Sequence, residues 1–186
     1  IQSGTLSPSV SKHDYLEAQI RAALVESKGF DLLAIGRPEG PGCYCAANNM
    51  LRMSIDKLGR NYRYVVIDSE AGMEHISRQT TRDVDLLVIV SDPTQRSIRT
   101  AAAIKGLIGE MRTRVGRIAL VVNRSPDGQP PEIAQAAERY GFDGPLTIGQ
   151  DPNLAGLEIK GRPTTELSED SPLRLGVTEL VARLGL

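Results

Sequence analysis

Short runs of β-branched and aliphatic residues alternate along this chain with longer stretches whose apolar residues recur every three or four positions. That alternation limits the fold more than any other feature. Strands joined in turn by helices can run parallel, and a parallel sheet is covered on both faces, so its strands are apolar throughout. The spacing predicts strands at Asp31 to Ile35, Tyr64 to Ile67, Leu86 to Val90, Ile118 to Val122 and Leu146 to Ile148. Helices are predicted from Ser11 (an S-x-x-D capping box) to Gly29, Ala46 to Leu58, Met73 to Arg82 and Thr94 to Met111. Further helices are expected from Pro131 to Tyr140, Asn153 to Lys160 and Pro172 to Leu184. The expected architecture is a doubly wound, mostly parallel α/β sheet with helices on both faces.

A length of 186 residues suits one domain with a substantial core. The formal net charge of −1 favours neither nucleic acid nor an anionic membrane as partner. The longest apolar runs are strand-sized, and the terminal helix carries only Arg174 and Arg183 beside its apolar Leu173, Val177, Leu180, Val181 and Leu184. It is read as a core-packing helix, and no stable membrane association is expected. No charged-then-apolar leader opens the chain, so a cytoplasmic location is expected.

In open α/β sheets, ligands bind beyond the carboxyl ends of the strands. Four polar or glycine-rich segments fall there: Arg37 to Cys45, Asp68 to Gly72, Ser91 to Thr94, and Asn123-Arg124. Asp68 ends an apolar strand and Gly72 follows four residues on. A carboxylate there can serve Mg²⁺ beside a nucleotide's phosphates, and a glycine lets a backbone N–H approach them. Capping of the next helix by Asp68 is the structural alternative. His75, in the first turn of that helix, reads as a surface or structural residue rather than a catalytic one.

Cys43 and Cys45 are the only cysteines, separated by Tyr44 in a glycine turn before a helix. A helix N-terminus lowers thiol pKa and favours metal binding or redox reactivity. Two thiolates are half of a tetrahedral site, so a two-fold dimer could supply four sulfurs around one ion, Zn²⁺ or Ni²⁺. Simple packing of small apolar thiols and a redox pair are the other readings.

The segment from Arg37 to Asn49, with Cys43-Tyr44-Cys45 in it, followed by Asp68-Ser69-Glu70-Ala71-Gly72-Met73-Glu74-His75, resembles the CooC-type nickel-insertion ATPases of carbon monoxide dehydrogenase maturation. These belong to the MinD/ParA-like P-loop NTPases, and the resemblance also takes in Asp92-Pro93-Thr94 with Ser97 and Val122-Asn123-Arg124. It implies ATP or ADP with Mg²⁺ as cofactor and an ATP-dependent homodimer sharing a Cys43/Cys45-bound metal. A nickel metalloenzyme is the implied client. By the same resemblance Asp68 serves Mg²⁺, Gly72 lies near the γ-phosphate, Asn123 hydrogen-bonds the adenine, and the Arg124 stem covers the base.

One family element is missing from these residues. The 186 positions contain no G-x-x-x-x-G-K-[ST] or other GK-[ST] sequence, and position 1 is isoleucine. The expectation is therefore that the chain is the C-terminal part of one P-loop NTPase domain, inactive alone and prone to aggregate through exposed strand edges. The full-length parent is expected to hydrolyse ATP. The rival readings are a non-catalytic metal-binding module derived from this family, or another MinD/ParA-like ATPase.

Overall fold

The computed structural model describes residues 12–34, 53–69, 83–110, 114–126, 128 and 130–186. The chain divides into two compact units, Ile1–Thr81 and Arg82–Leu186.

In the second unit β3 (Asp83–Ser91), β4 (Arg114–Ser125) and β5 (Leu146–Gly149) form a parallel sheet in the order β3-β4-β5. The connections are α3 (Gln95–Glu110) and α4 (Pro131–Arg139). After β5 come α5 (Pro152–Ile159), a 3₁₀ turn at Thr164–Glu166, and α6 (Pro172–Leu184). β4 is the central strand and is apolar toward both faces. Ile118, Leu120 and Val122 join Leu87 and Ile89 of β3 against Ile98 and Ala101 of α3 and Ile133, Ala136 and Ala137 of α4. The alternate residues, Ala119 and Val121, join Leu86 and Val88 against Leu173, Leu180 and Leu184 of α6. The two-residue period of a strand thus divides β4 between two cores, and helices cover both faces.

Three local features tighten this layering. In β4, a Cβ at Gly116 would come within 2.7 Å of the Asp85 carbonyl oxygen, so the strands meet where only glycine fits. Lys105 of α3 donates to the Gly141 carbonyl, and its ammonium lies 4.8 Å from the Phe142 ring centre, joining α3 to the end of α4. Arg117 donates to the Leu184 carbonyl at 2.8 Å, giving the last turn of α6 a cation.

The first unit departs from the sequence expectation in two places. The opening helix, α1 (Lys12–Ala23), stops before Gly29, and Leu24–Glu26 (β1) pairs antiparallel with Asp31–Leu33 (β2). The cause is local. Gly29 at φ 93 allows a tight reversal, Ser27 N donates to the Phe30 carbonyl at 3.1 Å, and Val25 pairs with Leu32 on one face. Gly29 therefore turns a hairpin where the sequence placed the end of a helix. Residues 53–59 (α2) are helical as expected, and Lys57 reaches Glu17 of α1 at 2.7 Å.

Tyr64 to Ile67, expected as a strand, form no ladder among the described residues, and Val66 is 92% exposed. A central parallel strand depends on neighbours on both sides, and its apolar composition alone does not order it. Among the described residues no helix is long and apolar enough to cross a membrane.

Ile98 is fully buried at the centre of the larger core. Ile98→Ala is expected to cost about 2–5 kcal/mol in denaturant unfolding, whereas Val90→Ala, at a side chain 63% exposed, should change stability by about 0.5 kcal/mol or less. Equal midpoints for the two variants would refute this assignment of the core.

Candidate functional site

The carboxyl ends of β3, β4 and β5 lie side by side, because the three strands are parallel. Ser91 of β3 pairs with Val122 of β4, so Asp92, just past β3, and Asn123, near the end of β4, lie at neighbouring positions. After β3 the chain turns at once. Thr94 N donates to the Asp92 carbonyl at 2.7 Å, and the Thr94 hydroxyl accepts from Ser97 N at 3.1 Å, which caps α3. The Asp92-Pro93-Thr94 segment with Ser97 is therefore a strand-to-helix turn whose own hydrogen bonds account for its residue types.

The end of β4 is less regular. Val122 pairs with Thr147 and Ser125 with Gly149, so three steps along β4 match two along β5, and the register shifts between them. The extra residue makes a bulge at Asn123-Arg124. Arg124 has φ 59, the one non-glycine residue with a left-handed backbone among the described residues, and its N–H donates to Asn123 Oδ1 at 2.9 Å. Arg124 is exposed and Asn123 half-buried. The asparagine carbonyl is thus held by its own chain. Among the described residues, one lone pair of that oxygen and both Nδ2 hydrogens have no protein partner and could meet a planar polar ligand.

Beyond the bulge, the fully buried Ser125 donates its hydroxyl to the Gly128 carbonyl, and its own carbonyl accepts from Gln150 N at 3.0 Å. Gln150 leads to Asp151, which is 8% exposed and caps α5 by accepting from Asn153 N at 2.9 Å. Asp151 also accepts a hydrogen bond from the hydroxyl of Ser171, the cap of α6. The Ser171 hydroxyl holds the Asp151 carboxyl below its ordinary value. Burial opposes that effect, and the backbone N–H groups of Asn153, Leu173 and Leu154 add to it.

The structure brings Asn123 and Arg124 together on one bulge. Asp68 is exposed, within the first unit. Cys43, Cys45, Gly72 and His75 lie outside the described residues, and among those described no cluster of three His, Cys, Asp or Glu could hold a metal ion. An exposed carboxylate such as that of Asp68 fits Mg²⁺, which is held by one or two carboxylates together with substrate phosphates and water. Sequence reasoning missed Ser125, Asp151 and Ser171. The sequence placed helices from Asn153 and from Pro172, beside these caps, but a bond between positions 151 and 171 leaves no periodic trace.

A depressed carboxyl stabilises the fold above its unfolded value and loses that contribution as pH falls through the folded value. Ser171→Ala should lower stability near neutrality by about 1 kcal/mol through the lost cap, and by a further, pH-dependent amount through the lost bond to Asp151. The gap from the parent should narrow below about pH 4, measured by urea unfolding across pH 3 to 7. A gap that stays constant over that range would show that Asp151 is not the group responsible.

Three comparisons bear on this site. An ATP-binding protein of Methanocaldococcus jannaschii is 37% identical over 188 residues, a match covering 99% of this chain and 73% of that protein. The carbon monoxide dehydrogenase accessory protein CooC of Rhodospirillum rubrum is 41% identical over 90 residues, covering 47% of this chain and 34% of that protein. Among solved structures, a ParA-family ATPase from Chlorobium tepidum superposes with a TM-score of 0.65 at 18% identity. That superposition covers 96% of this chain and 78% of the other, and it supports the fold alone. No protein-family profile matches the chain.

Proposed function

This chain belongs to the ATP-binding MinD/ParA branch of the P-loop NTPases, and from that premise we propose that it is part of an ATP-hydrolysing maturation factor that delivers nickel to a metalloenzyme. The observation that carries the proposal is Cys43-Tyr44-Cys45 in a chain 41% identical over 90 residues to a carbon monoxide dehydrogenase accessory protein. In this reading the 186 residues are one part of a single nucleotide-binding domain.

Each named residue has a distinct task. Asn123 recognises adenine: Nδ2 donates to a ring nitrogen while Oδ1, already bonded to Arg124 N, accepts from the exocyclic amine. The Arg124 stem lies against the base and keeps water from it. Asp68 holds Mg²⁺ through its carboxylate, and Mg²⁺ supplies neutralisation of the charge that develops on the phosphates. Gly72 leaves room for a backbone N–H near the γ-phosphate. Cys43 and Cys45 hold the transported ion as paired thiolates, and a second copy of the chain completes four sulfur ligands, a donor set suited to Zn²⁺ or Ni²⁺. The ion is cargo, and ATP governs the dimer that carries it.

The test uses the natural full-length protein. Asp68→Ala should reduce kcat for ATP hydrolysis on the order of a hundredfold, and Asn123→Ala should raise KM for ATP roughly tenfold with little change in kcat. Cys43→Ser with Cys45→Ser should abolish metal-dependent dimers while ATP hydrolysis persists. A stoichiometry of one bound ion per monomer, or an unaltered dimer in the double cysteine variant, would overturn the shared site.

A further inference from the structure

The bulge at Asn123-Arg124 adds a residue to β4 where the strand leaves its neighbours, and some other contact must fix its shape. That contact comes from β5. Gln150 N reaches across to the Ser125 carbonyl at 3.0 Å, one residue beyond the bulge, and Ser125 is fully buried. The next residue along, Asp151, accepts from Asn153 N and from the Ser171 hydroxyl, and the backbone N–H groups of Leu154 and Leu173 also bear on its carboxylate.

Capping α5 needs only the bond from Asn153 N. The Ser171 bond, with the Leu173 N–H beside it, joins the start of α5 to the start of α6, twenty residues away, where Ser171 is 2% exposed and also accepts from Arg174 N at 3.3 Å. A bond this sheltered has little competition from water, so the chain around Gln150 has one position rather than several.

We propose that Asp151 and Ser171 are positioning residues for nucleotide binding: through Gln150 and Ser125 they fix the β4 bulge and thereby the direction of the Asn123 carboxamide. The proposal rests on the reading of Asn123 as the adenine contact. Neither residue touches the nucleotide. The cost of losing the pair is a carboxamide that samples several directions, which weakens ground-state and transition-state binding alike.

The test is steady-state ATP hydrolysis by the natural full-length protein, with KM and kcat resolved. Ser171→Ala should raise KM for ATP on the order of tenfold and leave kcat unchanged, and Ser171→Thr, which keeps the hydroxyl, should restore KM. Asp151→Asn keeps the cap on α5 but exchanges an acceptor for a donor toward Ser171, and should give a smaller rise in KM. Ala103→Gly, on the exposed side of α3, lowers thermal stability without touching this chain of bonds and should leave KM unchanged.

An unchanged KM in both Ser171→Ala and Asp151→Asn, with KM raised in Asn123→Ala, overturns the positioning role and leaves the adenine contact standing. An equal rise in KM for Ala103→Gly overturns it too, since general loss of stability would then explain the effect. An unchanged KM in Asn123→Ala removes the adenine contact and this inference with it.

Discussion

The burial of β4 on both faces and both edges governs the rest of the described sheet. Val121 and Val122 point into opposite cores and are 2% and 0% exposed, while β3 and β5 take up the hydrogen bonds on either side. A strand so enclosed has no room for a polar side chain along its middle. Polarity is pushed to its ends, and in a parallel sheet the carboxyl ends of all strands lie together. Asp92 and Gln150, just past their strands, and Asn123, near the end of β4, fall there for that reason. The site is where the packing constraint first relaxes.

Helix placement follows from the same constraint. Once β4 alternates apolar residues toward two faces, each face needs a cover: α3 and α4 on one side and α6 on the other. The bonds from Lys105 to Gly141 and from Arg117 to Leu184 then fix the covers against sliding. These contacts tie together elements far apart in sequence.

Much of this was legible in the residues. The strands at Leu86 to Val90 and Ile118 to Val122, and every helix from Thr94 onward, announce themselves by period and by proline or glycine at their ends. The hairpin at Leu24 to Leu33 was not legible, because Leu24 continues a helical spacing and only the pairing of β1 with β2 shows which period prevails. The Asn123-Arg124 pair was visible as a strand end, but its bulge was not. A bulge is a mismatch between two strands, and a single run of residues carries no count of its partner. The bond between Ser171 and Asp151 was hidden for the same reason.

The extra residue in β4 also bears on how such a protein could change over generations. Val122 to Ser125 spans three steps where β5 needs two, so loss of one codon there would bring the strands into even count rather than tear them apart. Were the lost residue Asn123, its carboxamide would go and Arg124 would fall into the even ladder, while the layers around it kept their packing. A descendant could in this way lose the Asn123 carboxamide in a single event and persist as a folded scaffold, free to be recruited to another task.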